Sequence, residues 1–139
     1  MTTMDELHER YTNLEAQVDI KPEASIDASC LLIFEYEYPD QDTEIVIETD
    51  EFTAVCPWTG LPDYGTLTIR YTPNKSCIEL KSLKYYLLTY IGVGIVQEHA
   101  ANRILQDLVA SCTPIRMTIG LDYKVRGGLQ TTVTVHHEP

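Results

Sequence analysis

The sequence has 139 residues and a formal net charge of −11 at pH 7, from 10 basic and 21 acidic side chains. This length fits one domain with its own core, and the acidic excess, with no run of Lys or Arg, argues against direct nucleic-acid binding. No stretch approaches the roughly 18 consecutive apolar residues of a membrane span, and the polar, acidic N-terminus is unlike a secretion signal. We therefore expect a cytosolic protein without nucleic-acid or membrane partners.

The N-terminal part is predicted to be an extension of the core. Residues 2–18 carry an apolar stripe at helical spacing, whereas residues 20–27 contain Pro22 and show little periodicity. The stripe consists of Leu7, Tyr11, Leu14 and Val18. We predict an extension over residues 1–28, helical in part, and a single domain over residues 29–139.

Strand-like segments come first in this domain. Residues 30–37 are apolar and aromatic, and residues 38–40 then form a turn. Residues 44–49 alternate acids with apolar side chains. Residues 66–71 alternate cleanly, as a half-buried strand does, and Pro73 closes that strand.

Two helices and two further strands complete the pattern. Apolar side chains recur at helical spacing in two stretches, which predict helices separated by Gly92 and Gly94 and ended by Pro114. The helical stripes are Leu80, Leu83, Leu87 and Tyr90, then Ala101, Ile104, Leu105, Leu108 and Val109. Residues 117–123 and 129–135 alternate again and predict the last two strands.

The order strand–strand–helix–helix–strand–strand predicts an α+β domain, an antiparallel sheet with two helices on one face. Such a sheet has open edges, which need cover or partners. A ring of subunits whose sheets continue into one another would satisfy those edges. We therefore expect an oligomer.

The loop from Cys56 to Asp63 is the first candidate for chemistry. Two prolines and a glycine make it rigid, and it holds a thiol and a carboxyl group seven positions apart. A thiolate is a strong nucleophile, and an acid within reach can transfer a proton. The structural alternative, a tight connection with a buried cysteine and a turn aspartate, is favoured on composition alone.

The segment from Glu79 to Tyr86 is the second candidate. Lys81 and Lys84 share a helix face, with Ser82 between them, and two cations with a hydroxyl suit a phosphate-bearing ligand. A solvated helix face is the alternative for a lysine pair. In a chain with only 10 basic residues, their clustering favours the functional reading slightly.

The third candidate is Gln97 with Glu98 at the start of the second helix, followed by His99. A carboxylate can accept two N–H bonds from a guanine-like edge. An acid that complements the helix dipole explains Glu98 equally well. Arg126, before two glycines, is foremost a turn residue and only secondarily a phosphate contact. We assign no metal site, because the Cys and His spacing offers no convincing ligand set.

Together these segments resemble the NADPH-dependent 7-cyano-7-deazaguanine reductases of queuosine biosynthesis, over about residues 44–137. The segment Glu79-Leu80-Lys81-Ser82-Leu83-Lys84-Tyr85-Tyr86 matches the family signature at every position and is highly specific. Further matches are Cys56-Pro57 with Thr59-Gly60 and Pro62-Asp63, then Glu98 before Asn102, and Arg126-Gly127-Gly128. The resemblance implies the tunnelling fold, a decamer of two face-to-face pentamers, and sites between subunits.

The resemblance also implies roles for individual residues. Cys56 attacks the nitrile carbon to form a thioimide and Asp63 donates a proton. NADPH delivers a hydride, and a second NADPH reduces the resulting imine to the primary amine. Glu98 anchors the base. The other implied positions are Ile78, Glu79, Leu80 and Gln97 at the substrate, and Lys81, Ser82, Lys84 and Arg126 at the NADPH phosphates.

One departure and three rivals accompany this prediction. Many members have histidine where this chain has Gln97, and His99 points about 100° away from Glu98 on a helix, so its role as proton donor stays open. A relative that adds ammonia to the nitrile would need no NADPH signature. A zinc cyclohydrolase would need metal ligands. A non-enzymatic ring protein would tolerate the loss of Cys56 or Asp63.

Overall fold

A four-stranded antiparallel sheet dominates the computed structural model, which describes residues 1–15 and 18–139. In chain order the elements are α1 (Met4–Glu15), β1 (Ile33–Glu35), β2 (Ile45–Val55), β3 (Pro62–Thr72), β4 (Ser76–Ile78), α2 (Leu80–Leu88), α3 (Gln97–Cys112), β5 (Arg116–Tyr123) and β6 (Thr132–His137). The predicted α+β class with an antiparallel sheet is confirmed.

The main sheet has the strand order β2-β3-β5-β6, and each neighbouring pair is antiparallel. Ile69 of β3 lies opposite Ile47 of β2 on one side and Ile119 of β5 on the other. Such cross-strand apolar pairs stabilise a sheet, and the alternation of the strands directs them to one face. A second, small sheet pairs β1 with β4.

Helices α2 and α3 bury their apolar sides in the same core. Helix α2 begins after Glu79, whose carboxylate accepts hydrogen bonds from the N–H groups of Lys81 and Ser82. Helix α3 ends where Thr113 adopts a left-handed φ of 44°. The fully buried helical side chains include Tyr86 of α2 and Ala100, Ala101, Ile104 and Leu108 of α3. No helix in the described ranges has the length and apolar composition needed to cross a membrane.

Strand β2 extends well beyond the predicted residues 44–49 because a β-bulge hides its pattern, and strand β3 begins at Pro62, before the predicted residues 66–71. The register of β2 against β3 shifts between Thr49 and Phe52. The inward-facing positions along β2 therefore change from odd to even residue numbers at this point. A bulge inserts one extra residue into a strand and breaks its alternation, so the pattern stopped at Thr49 although the strand continues to Val55.

Two other segments differ from the sequence prediction. Only Ile33–Glu35 of the apolar run 30–37 forms a strand, which pairs with β4, and Ala28–Cys30 is a short 3₁₀ turn. The last strand begins after the predicted residue 129. Leu129 instead closes a turn, since its carbonyl accepts a hydrogen bond from the N–H of Arg126 at 2.9 Å.

The N-terminal residues are helical over α1, and residues 16 and 17 of the predicted helix lie outside the described ranges. Tyr11 and Leu14 of its apolar stripe are exposed. Further along, Ile26 is buried in the domain core. Part of the predicted extension therefore packs onto the domain, and the boundary between the two stays a prediction.

A buried polar network joins the two helices. The hydroxyl of Tyr86 donates to Asp107 at 2.6 Å and lies 2.7 Å from the hydroxyl of Tyr90. Asp107 also accepts from Nε of Arg103 at 2.8 Å. Burial raises the pKa of both phenols, so they stay neutral and can donate at any physiological pH. Paired in this way, the buried polar atoms avoid the desolvation cost of an unmade hydrogen bond.

This network predicts a stability difference between two adjacent tyrosines. Tyr86→Phe removes the central hydroxyl and leaves Asp107 and Tyr90 short of a partner, so it should lower the free energy of unfolding by about 1–3 kcal/mol. Tyr85→Phe is the matched control, because the Tyr85 side chain is exposed and its loss of a hydroxyl should have little effect. Urea unfolding followed by circular dichroism measures both, and equal effects would contradict the prediction.

Candidate active site

Cys56 lies at the start of a tight loop between β2 and β3. Its N–H donates to the carbonyl of Leu61 at 2.9 Å, and its carbonyl accepts from the N–H of Gly60 at 2.8 Å. Gly60 has a φ of +72°, a conformation that favours glycine. These bonds close the loop on itself, and the Cys56 side chain at its start is 8% exposed.

Asp63 is the second residue of β3 and lies opposite Ala54 of β2. Its carboxylate is buried and accepts a hydrogen bond from Nη1 of Arg126 at 2.7 Å. Arg126 comes from the turn between β5 and β6 and is half exposed. A buried carboxylate needs a partner of this kind, because an unpaired buried charge is costly.

The first turn of α3 supplies two more polar side chains, Gln97 and Glu98. The carbonyl of Gln97 accepts a hydrogen bond from the buried hydroxyl of Tyr123 at 3.2 Å. This contact fixes the start of α3 to strand β5. Both side chains therefore stand at a defined position beside the loop of Cys56.

These elements enclose a single cavity of about 280 Å³. Its size is near the lower end of the range for small-molecule sites, about 300–1,000 Å³. Its lining residues are Cys56, Pro57, Trp58, Asp63, Val96, Gln97, Glu98 and Arg126. The structure therefore brings together a thiol, three groups that can be charged and an amide. These five groups come from three separate parts of the sequence.

Cys56 is chemically distinct from the other thiols. Its pKa is lowered by the hydroxyl of Thr59 first, with smaller contributions from the N–H groups of Thr59 and Trp58 and from the charge of Arg126, against the opposing effect of burial. Burial raises the pKa of the remaining cysteines, which are Cys30, Cys77 and Cys112. Since the thiolate is the reactive form of a cysteine, the surroundings of Cys56 favour a reactive thiol there more than at the other three cysteines.

The second group of predicted residues, 78–84, lies elsewhere. Ile78 is buried in the core, and the carboxylate of Glu79 caps α2. The hydroxyl of Ser82 is also committed, because it donates to the carbonyl of Glu79 at 2.8 Å and accepts from the N–H of Leu32 at 2.9 Å. Lys81 is exposed on α2. None of these described residues lines the cavity of Cys56.

Leu80 and Lys84 belong to a different, apolar cavity of about 300 Å³ between β2 and α2. Its polar groups are few, and Glu51 and Lys84 provide the charges. His99 is exposed and is absent from the lining of either cavity. Among residues 1–15 and 18–139, no three His, Cys, Asp or Glu side chains are grouped so that they could hold a metal ion.

The sequence assigned no role to two residues at the site. Trp58 lines the cavity beside Cys56 and is 80% exposed. Thr59 has the largest effect on the thiol. Both lie inside the loop that was predicted to carry chemistry, but residue types alone do not show which loop side chains face the sulfur.

The effect of the Thr59 hydroxyl on the pKa of Cys56 predicts a change in reactivity. Thr59→Val removes the hydroxyl, raises the pKa of Cys56, and should slow its alkylation by iodoacetamide at pH 7 about three- to ten-fold. Thr68→Val, in the middle of β3, is the matched control and should leave the rate unchanged. Intact mass measures the alkylation rate of Cys56 across pH. An unshifted rate–pH profile for Thr59→Val would contradict the role of Thr59.

Comparisons with known proteins identify the family of this chain. A sequence profile for the family described as QueF-like protein matches residues 62–139. Proteins named NADPH-dependent 7-cyano-7-deazaguanine reductase are similar along most of the chain. The one from Caldanaerobacter subterraneus is 52% identical over 89% of this chain and 92% of its own length, and the one from Chlorobaculum tepidum is 55% identical over 76% and 90%.

A solved structure shares the fold. The apo crystal structure of the archaeosine synthase QueF-Like superposes with a TM-score of 0.64 at 19% sequence identity, covering 69% of this chain and 94% of the other. At this identity the likeness concerns the fold alone. The identities of about half with the named reductases carry the assignment, and they confirm the resemblance found in the sequence. The chain belongs to the family of the NADPH-dependent 7-cyano-7-deazaguanine reductases.

Proposed function

We propose that this chain is an enzyme that reduces the nitrile of 7-cyano-7-deazaguanine to 7-aminomethyl-7-deazaguanine with NADPH, in the synthesis of queuosine. The observation that carries the proposal is the cavity that holds the Cys56 thiol, the Asp63 carboxylate and Glu98 together. The names of relatives at about 50% identity support the same reaction. The net charge of −11 favours a free base over a tRNA as the substrate.

Cys56 supplies the nucleophile in this proposal. A nitrile is a weak electrophile, and addition of the thiolate to its carbon forms a C–S bond and leaves a basic nitrogen. Asp63 first accepts the thiol proton and then donates it to that nitrogen, which gives a neutral thioimide with no net loss of protons. Arg126, paired with Asp63 at 2.7 Å, holds the carboxylate inside the same cavity as the thiol.

Glu98 and Gln97 recognise the base. A carboxylate can accept two neighbouring N–H groups, which is the donor pattern of a guanine-like edge. Gln97 has no ionisable proton to give, and His99 lies outside the cavity lining. Asp63 is therefore the acid that serves the nitrile nitrogen, while the amide of Gln97 contributes hydrogen bonds to the substrate.

The exposed lysines of α2 fit the phosphates of NADPH. Lys81 and Lys84 are one helical turn apart, and neither forms an ion pair with any residue in the described part of the chain. Ser82 and Arg126 have internal partners, so the lysines bear most of this role. When bound, NADPH supplies one hydride to the thioimide and, from a second molecule, one to the imine left after the C–S bond breaks.

We further propose that the complete site forms between subunits of a ring, a decamer of two pentamers with the tunnelling fold. The lysine segment 79–84 lies apart from the Cys56 cavity within one chain, so a neighbouring subunit supplies it. Exposed apolar side chains at both places support an interface. They are Trp58, Leu61 and Tyr64 around the thiol loop, and Leu80, Leu88 and Ile91 around α2.

The proposed reaction predicts the outcome of a direct assay. Purified protein should consume about two NADPH per molecule of 7-cyano-7-deazaguanine, because a nitrile becomes an amine by two hydride transfers. The loss of NADPH absorbance measures this consumption. Cys56→Ala should lower the rate at least about a thousand-fold, and Asp63→Asn about a hundred-fold. Cys30→Ala, which removes a thiol of raised pKa, should keep full activity.

Other outcomes of this assay separate the rivals. A Cys56 adduct by intact mass without NADPH consumption would place the chain with relatives that add another nucleophile to the nitrile. If the protein forms no adduct and consumes no NADPH, its likeness to the reductases is limited to the fold. An adduct with Cys56→Ala would eliminate Cys56 as the nucleophile.

A shared site predicts complementation between two inactive variants. When Cys56→Ala and the double variant Lys81→Ala/Lys84→Ala are dissociated, mixed equally and reassembled, about one quarter of sites should combine two intact halves. NADPH consumption should return to that fraction. A mixture of Cys56→Ala with Asp63→Asn is the control, since both residues line one cavity and their mixture should recover nothing. Equal results from both mixtures would contradict a shared site.

A further inference from the structure

Residues 18–21, called the strap here, lie beside the segment 92–95 that precedes α3. The N–H of Lys21 donates to the carbonyl of Gly92 at 2.8 Å, and the carbonyl of Lys21 accepts from the N–H of Gly94 at 2.9 Å. The two segments run parallel, with Lys21 opposite Val93. The strap is therefore bonded to the domain through its backbone.

The segment 92–95 is bonded on its other side to the end of β2. The N–H of Val55 donates to the carbonyl of Val93 at 2.9 Å, and the carbonyl of Val55 accepts from the N–H of Ile95 at 3.1 Å. Val55 is the residue immediately before Cys56. Three backbone segments thus lie side by side, from the strap to the nucleophile.

The strap also packs against the thiol loop directly, at Gly60 of the loop, and against the neighbouring segment at Gly94. A Cβ on Gly60 would overlap Cγ1 of Val18, and it would lie 3.2 Å from Cγ1 of Ile20. A Cβ on Gly94 would lie 2.6 Å from Cγ2 of Ile20 and 3.1 Å from Cα of Pro57. Backbone and side chains are in such close contact here that no further atom fits between the strap and the loop.

The opposite side of the loop has little support within the chain. Trp58 is 80% exposed and Leu61 is 58% exposed. The hydrogen bonds of Cys56 with Gly60 and Leu61 close the loop but do not fix it against the domain. The strap is therefore the surface against which the loop is held.

We propose that the strap positions the nucleophile loop, with Val18 and Ile20 as positioning residues that keep Thr59 and the N–H of Trp58 against the sulfur of Cys56. This proposal rests on the proposed function only in treating Cys56 as the nucleophile. Because Thr59 is the main cause of the lowered thiol pKa, a loop released from the strap loses thiolate at neutral pH. Reactivity, beyond stability, then depends on residues before the predicted domain boundary.

The test is alkylation of Cys56 by iodoacetamide in the full chain, with the signal of Cys56→Ala subtracted and the rate measured across pH. Val18→Ala/Ile20→Ala should lower the rate at pH 7 about five-fold and move the rate–pH profile to higher pH. The single variant Ile20→Val, which keeps a branched side chain, should keep the wild-type rate–pH profile. Leu14→Ala, on the exposed face of α1, is the matched control and should match wild type.

An unchanged rate–pH profile in the double variant, whatever its melting temperature, would overturn the proposal. If circular dichroism shows that the double variant is unfolded, the single variant Val18→Ala provides the test. Val18 is 39% exposed, so the fold tolerates its truncation. The rate–pH profile of this variant must also move to higher pH. Alkylation uses neither nitrile nor NADPH. If the strap variants do not change alkylation, the proposed reductase activity is unaffected. If the reductase assay fails, the alkylation result on the strap still holds.

Discussion

The pairing of β2 with β3 is the constraint on which the site depends. It sets Val55 opposite Pro62 and Ala54 opposite Asp63, so the thiol that follows one strand and the carboxylate that begins the other share an end of the sheet. A slip of one residue would turn Asp63 to the opposite face. The bulge between Thr49 and Phe52 fixes this register from the middle of the same pair.

Charge is distributed unevenly in this acidic chain. Arg126 meets Asp63 at the cavity, and Lys81 and Lys84 stand on α2, whereas acids dominate elsewhere. Three of the 10 basic side chains therefore lie where an anion is held or expected. This placement makes the proposed recognition of a phosphate-bearing cofactor compatible with a net charge that repels nucleic acids.

The sequence was sufficient for the class of fold and for the loop of Cys56, but not for finer positions. Alternation revealed residues 66–71 of β3 and all but the first residue of β5, where the inward side chains are apolar, and it missed the second half of β2 because the bulge changed the phase after Thr49. The start of α3 at Gln97 was predicted, although its first turn is polar and its apolar stripe was recognised only from Ala101 onwards. Proximity of Arg126 to Asp63 depends on a turn 63 positions away, which no local pattern encodes.

The difference in thiol pKa between Cys56 and the other three cysteines has a consequence for oxidation. The thiolate is also the form that peroxides attack, and the cavity gives a small oxidant access to Cys56 while burial keeps the pKa of Cys77 and Cys112 high. We therefore expect peroxide to oxidise Cys56 first, to a sulfenic acid at the residue that the proposed reaction needs. In the proposed reaction, the surroundings that activate Cys56 toward a nitrile are therefore the same ones that expose it to oxidation.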